Sequence, residues 1–274
     1  MGYWDRKRAV VTGGSAGLGR AVARALVDKG ARVAIVGRRP ALLDETAADL
    51  RAEGGHVITI AADVTKQNDI DRLYSTVQSA WGGIELLCHC AGQSMRGTAL
   101  ATSVEDYQKL WETNFLSTVR CTKAFATALA DAHGHLVLVG SLASKVAAGY
   151  LGAYPATKFP LAALAQQLRI EFGQRGPHVL LVCPGPIARE QDGQADVGGR
   201  YADQAGNVPA AAQQPGGGAK MRAIDPHWLA EQILEACQAR RAELVVPRHA
   251  RLLFAITQIS PRLGDWLLRR MTSG

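Results

Sequence analysis

Short apolar runs alternate with segments of helical periodicity along the whole chain. The runs cover residues 8–12, 32–37, 56–61, 84–90, 135–141, 178–183 and 243–247. Apolar positions at helical spacing follow at Val22, Ala23, Leu26 and Val27, then over 41–53, 70–81, 104–132, 154–172 and 225–239. Runs that are apolar throughout, not at every second residue, mark strands covered on both faces. Strands separated by helices predict a parallel sheet, and right-handed crossovers wind it in both directions from its centre. The expected fold is a doubly wound α/β sheet of Rossmann type, with ligands at the carboxyl ends of its strands. No linker interrupts the pattern, so residues 1–248 are expected to form one domain. Residues 189–222 differ. They are rich in Gly, Ala, Gln and Pro, and include Gln213-Gln-Pro-Gly-Gly-Gly218. Their place after the sixth strand favours a mobile substrate lid over a plain surface insertion.

The 274 residues are 47% hydrophobic and 20% charged, enough for a well-buried core and unlike a disordered chain. No apolar run is long enough to span a bilayer. The opening residues lead straight into the first strand, so no signal peptide is expected. Cys88, Cys90, Cys121, Cys183 and Cys237 are scattered among apolar segments, as reduced thiols of a cytoplasmic protein are. Cys88-His-Cys90 has no second ligand pair, and no metal site is expected. The net charge of +7 is spread over helix faces without interleaved aromatics, which argues against nucleic acid and suits a multiply charged phosphate ligand.

Such a ligand has a place to bind. Val10-Val-Thr-Gly-Gly-Ser-Ala-Gly-Leu-Gly-Arg20 is a strand, a glycine-rich turn and a helix start. A helix N-terminus presents free N–H groups and the positive end of its dipole to a pyrophosphate. The second strand ends in Val36-Gly37-Arg38-Arg39. An acidic residue there would bind a ribose 2′-hydroxyl, whereas two guanidiniums suit a 2′-phosphate, so NADP(H) is expected over NAD. Asp63, after the third strand, can bond an adenine amino group with Val64 against the ring, and Thr65 is expected as a helix N-cap. Finally, Ser141 ends the fifth strand and Tyr154-Pro-Ala-Thr-Lys158 follows. Tyr154 and Lys158 share a helix face, and an ammonium beside a phenol favours phenolate. A phenol tuned in this way can exchange a proton near neutral pH.

With these motifs in this order, the chain resembles the short-chain dehydrogenase/reductase family from about residue 6 to 247. The cofactor loop is matched by Gly13, Ser15, Gly17, Leu18 and Gly19, and the adenine-side residues by Asp63 and Val64. The loop after the fourth strand is matched by Cys90, Ala91 and Gly92, and the loop after the sixth by Pro184, Gly185 and Ile187. Asn114, Ser141, Tyr154 and Lys158 match the catalytic set. The resemblance implies an oxidoreductase that interconverts a ketone and a secondary alcohol. Tyr154 would exchange the proton, Lys158 would hold the nicotinamide ribose, Ser141 would orient the substrate oxygen, and Asn114 would support a water relay. Family members often form homodimers or homotetramers through the helices around Asn114 and Tyr154. The rival is a non-catalytic NADP-binding or redox-sensing protein on the same fold.

Three positions depart from the family. Cys90 stands where an asparagine normally stiffens the sheet edge. Arg189 stands where a threonine normally bonds the carboxamide. Pro160 lies just after Lys158, where a kink is expected. The extension, residues 249–274, is apolar and basic and is split by Pro261. It could pack within the protein or against a second subunit, close over a hydrophobic, lipid-like substrate, or contact a membrane peripherally.

Overall fold

The computed structural model describes residues 2–188 and 221–272. The apolar runs form β1 (Arg8–Thr12), β2 (Arg32–Gly37), β3 (His56–Ala61), β4 (Leu86–His89), β5 (His135–Val139), β6 (His178–Pro184) and β7 (Glu243–Val246). They make one parallel sheet in the order β3-β2-β1-β4-β5-β6-β7. The chain builds outward from β1 to β3, then returns to place β4 against the other side of β1. The loops after β1 and β4 therefore meet at the reversal, where open α/β sheets bind ligands. β4 and β5 are shorter than their apolar runs. Cys90 and Ser141 have already left the sheet for the loops that face this crevice.

Strand pleating divides the interior in two. Ala9, Val11, Val33 and Ile35 face a core built with α1 (Gly17–Asp28), α2 (Pro40–Ala52) and α7 (Pro226–Gln238). Val10, Ala34 and Val36 face the other core, built with α3 (Gln67–Trp81), α5 (Ser117–Asp131) and α6 (Tyr154–Phe172). Alternate residues of one strand serve opposite faces, which is why these runs are apolar without a break.

The expected single helix over 104–132 is in fact three pieces. α4 (Val104–Trp111) begins at Ser103, whose side chain accepts from the Asp106 N–H. A π-helical turn, Glu112–Leu116, follows and leads into α5. Such a turn adds one residue to the helical circuit without any special residue type, so apolar spacing does not reveal it. Lys66, not Thr65, stands at the N-cap of α3. α6 continues through Pro160 to Phe172. The carbonyl that Pro160 cannot bond belongs to Ala156, which is exposed.

Of the expected lid, residues 189–220 lie outside the described residues, as does the Arg189 departure. The strands of chain flanking it are tied together: Ile224 donates to the Pro186 carbonyl and Ala188 to the Ile224 carbonyl. The extension forms α8 (Ala250–Ile259) and α9 (Pro261–Thr272). Ala250 and Phe254 are buried in the second core.

Candidate active site

The cofactor side of the crevice begins where β1 ends at Thr12. Gly13, Gly14, Ser15 and Ala16 turn the chain into α1. Ala16 gives that helix no side-chain cap, and its first turn holds no acidic residue. The leading N–H groups are thus left to an anion. A Cβ on Gly19 would strike the Gly13 carbonyl, so the helix can press against the turn only with glycine there. Ser15 and Leu18 are buried beside it. Arg38 and Arg39 follow β2 and are both exposed.

Asp63 lies after β3. Its Oδ1 accepts from the Thr65 N–H at 3.0 Å and the Thr65 hydroxyl at 2.8 Å. Burial acts to raise its pKa, but the two Thr65 bonds and the charges of Arg38 and Lys66 outweigh it and hold the carboxyl below its usual value. Arg38 is thus close enough to be felt at Asp63. Val64 is buried. Cys90, Ala91 and Gly92 line the loop after β4, and Gly185 and Ile187 follow Pro184 at the end of β6. The residues expected to hold a dinucleotide thus lie on successive loops at one sheet edge. Uncapped N–H groups, a glycine contact that a Cβ would fill and two exposed guanidiniums all fit that group.

Asn114 is fully buried within the π-helical turn. Its Oδ1 accepts from the Gln93 N–H at 2.8 Å. Its Nδ2 donates to the Gln93 carbonyl and to the Thr157 hydroxyl, each at 2.9 Å. Thr157 in turn donates to the Tyr154 carbonyl at 2.9 Å. The Asn114 side chain is therefore a staple joining the loop after β4, the π turn and the first turn of α6. Lys158 is also buried, and its Nζ donates to the Val139 carbonyl at 3.0 Å. Burial pushes its pKa down to about 8, against the opposing pull of Cys90 and Cys183. The ammonium lies 5.9 Å from the centre of the Tyr154 ring. A Cβ on Gly92 would come within 3.1 Å of Asn114 Oδ1 and 3.4 Å of Lys158 Nζ, so a side chain there would crowd both.

Ser141 lies just beyond the carbonyl that Lys158 holds. Its Oγ accepts from the Ala143 N–H, and its own N–H donates to Ser144 Oγ, each at 3.1 Å. This reciprocal cap fixes the short turn Leu142–Ser144. Tyr154 is half-buried and packs against a small apolar cluster of Met95, Leu110 and Ala153, with Tyr107 beside it.

Sequence reasoning missed one group. His89 ends β4 and is buried. Ser117 Oγ donates to the Thr113 carbonyl at 2.6 Å, so it accepts from His89 Nε2 at 3.1 Å. His89 Nδ1 is then the acceptor and takes the Thr12 hydroxyl at 3.0 Å. Thr12 accepts in turn from the Ala91 N–H at 3.2 Å. Burial, with the nearby Lys158 charge, lowers the imidazole pKa to about 3 and keeps it neutral. These bonds tie the ends of β1 and β4 to the π turn beside Cys90. The signal in the sequence was a histidine inside the otherwise apolar stretch from Leu86 to Cys90. Cys88 and Cys90 touch each other instead, Sγ to Sγ at 3.4 Å.

Residues 7–196 match the family described as short chain dehydrogenase. The chain belongs to this family. It is therefore an oxidoreductase of the short-chain dehydrogenase/reductase type. Among curated relatives, it is 28% identical over 271 residues to the ketoacyl reductase HetN of a Nostoc species, covering 96% of this chain and 88% of that one. Among solved structures of the family, it is similar to a variant actinorhodin polyketide ketoreductase with NADPH, with TM-score 0.75 and 26% identity over 89% of this chain and 97% of that one. It also shares its fold with a short-chain dehydrogenase/reductase of Burkholderia phymatum in complex with NAD, with TM-score 0.80 and 22% identity over 96% of each chain.

Proposed function

We propose that this protein is an NADP-dependent reductase that interconverts a ketone and a secondary alcohol, with Asn114, Ser141, Tyr154 and Lys158 as its catalytic set. The observation that carries this reading is the buried Lys158 ammonium. Its Nζ is held by the Val139 carbonyl and lies 5.9 Å from the Tyr154 ring centre, with stapled Asn114 on the far side of Gly92. A fixed positive charge beside a phenol favours the phenolate, so Tyr154 can give its proton to a carbonyl oxygen or take one from an alcohol. The Ser141 oxygen accepts from Ala143, and its own proton can point at the same substrate oxygen. When bound, the dinucleotide supplies the hydride that reduces the carbonyl carbon. Asn114 spends its side chain on Gln93 and Thr157, so its part in the relay is to hold the π turn in place beside Lys158.

Gly13, Ser15, Gly17, Leu18 and Gly19 would cradle the pyrophosphate. Asp63 and Val64 would hold the adenine. Cys90, Ala91, Gly92, Pro184, Gly185 and Ile187 would line the nicotinamide half. The preference for NADP(H) over NAD rests on Gly37-Arg38-Arg39, where two exposed cations replace a carboxylate. The relatives named above include proteins solved with either dinucleotide, so the arginines carry this point. A hydrophobic or lipid-like carbonyl substrate is part of this reading and rests on the apolar extension, residues 249–274. A homodimer or homotetramer is supported by the exposed Trp111, tilted against Phe115 with ring centres 4.8 Å apart, on helices the resemblance places between subunits. The free cysteines suit the cytoplasm. The extension is the part of the chain suited to peripheral membrane contact. A non-catalytic dinucleotide-binding role is the weaker reading, since all four catalytic positions are filled.

Oxidation of NADPH and of NADH, followed across ketones from small and polar to long-chain β-keto compounds, tests this reading. We expect NADPH to be preferred and Arg38→Ala to raise its KM by about tenfold or more, with NADH changed within about twofold. An unchanged preference in the variant would refute the phosphate contact.

A further inference from the structure

We propose that the outward face of the α8–α9 hairpin docks on the surface of an anionic lipid bilayer. The hairpin has two unlike sides. Inward, Ala250 and Phe254 are buried, and Leu253 and Leu268 pack against the second core. A Cβ on Gly264 would lie 2.7 Å from Thr257 Cα, so the two helices are in close contact there. The core-facing side is satisfied and the hairpin is a fixed platform.

Away from the core, Leu252 and Ile259 stand on one face of α8 with half-buried Ile256 between them, and Leu263 and Trp266 share a face of α9. Leu252 is 68% exposed, Ile259 85%, Leu263 47% and Trp266 53%. Large apolar side chains are thus presented to solvent on both helices of a scaffold whose other side is packed, the pattern of an interaction surface. Arginines are interspersed with them along the chain, although Arg251 donates to the Glu243 carbonyl at 3.2 Å. Residues 248–272 contain Arg248, Arg251, Arg262, Arg269 and Arg270 against a single carboxylate, Asp265. The Arg270 guanidinium lies 5.5 Å from the Trp266 ring centre. Exposed apolar residues on a segment rich in arginine, with a tryptophan under a guanidinium, suit the boundary between acyl chains and anionic headgroups.

The charge decides between occupants. A second copy packed on this face would bring two arginine-rich hairpins together, which repel. An anionic lipid surface meets them with opposite charge. Among the described residues no helix is long and apolar enough to cross a membrane, so the hairpin lies on the surface and does not span it. α8 starts just beyond Val246, at the same sheet edge as the candidate active site. This inference does not depend on the oxidoreductase chemistry and can fail without touching it.

The full-length protein is sedimented with vesicles of phosphatidylcholine alone and of equimolar phosphatidylcholine and phosphatidylglycerol, at low and high salt. The same is done with Ile259→Ser/Trp266→Ser and with Arg262→Gln/Arg270→Gln. All substituted positions are exposed, and thermal melting and gel filtration check that each variant stays folded. We expect binding to the anionic vesicles only, weakened by salt. The apolar pair should weaken it by about tenfold or more, and each arginine removed by about fivefold. No binding to anionic vesicles, or equal binding by the apolar variant, would overturn the proposal. So would self-association without vesicle binding that the apolar pair abolishes, which would make the face a contact between copies.

Discussion

Lys158 is held as a cation where a cation is costly. Burial lowers its pKa from 10.5 to about 8, and at neutral pH it is still protonated. Below pH 8 the folded state therefore carries the full cost of the buried charge. Between pH 8 and 10.5 the unfolded chain binds the extra proton, so stability gains as pH rises through that window. A shift of this size corresponds to roughly 3 kcal/mol. Lys158→Met should therefore stabilise the fold by about 2–3 kcal/mol at pH 7, with the gain shrinking towards pH 10.5, while turnover is lost. Urea denaturation of both proteins at pH 7 and pH 10 checks this. A variant less stable than the parent at pH 7 would show that the Val139 bond outweighs the desolvation of the charge.

Between elements, a chain of bonds through His89 ties the ends of β1 and β4 to the π turn. It runs from Ala91 through Thr12, His89 and Ser117 to Thr113. It connects the end of the cofactor loop's strand to the π turn that carries Asn114. His89→Ala would leave the Thr12 and Ser117 hydroxyls short of a buried partner and open a small cavity. We expect a loss of about 2–4 kcal/mol and a raised KM for the dinucleotide, read by chemical denaturation and by steady-state kinetics. A loss below about 1 kcal/mol would mean that water or a side-chain shift replaces the imidazole. His89 was hard to find from sequence because periodicity reports only which face is apolar. The partners of a polar residue in a buried strand come from other elements, here Thr12 and Ser117, distant along the chain. The π turn escaped for a related reason: it changes the phase of the helix but not the type of residue in it.

At the scale of the molecule, the sheet was legible because its central strands are buried on both faces, so the apolar runs of β1 and β2 are the strands themselves. The reversal between β1 and β4 then follows from crossover handedness. It brings Gly13, Gly92 and Ser141 to one edge, and α6 adds Tyr154 and Lys158. Which side chains would share a site was legible only where a local motif carried it, as in Tyr154-Pro-Ala-Thr-Lys158. How Asn114 would act was not, because its contacts are to a backbone segment and to Thr157. The central claim is that this constellation moves a proton through Tyr154 while the loops hold the dinucleotide. Tyr154→Phe removes one hydroxyl and leaves the packing against Met95, Leu110 and Ala153 in place. Ketone-dependent NADPH oxidation and NADPH binding, measured side by side in the parent and this variant, test the claim most directly. The account predicts turnover reduced by about a thousandfold or more with the binding constant changed within about threefold. Turnover equal to that of the parent would contradict it.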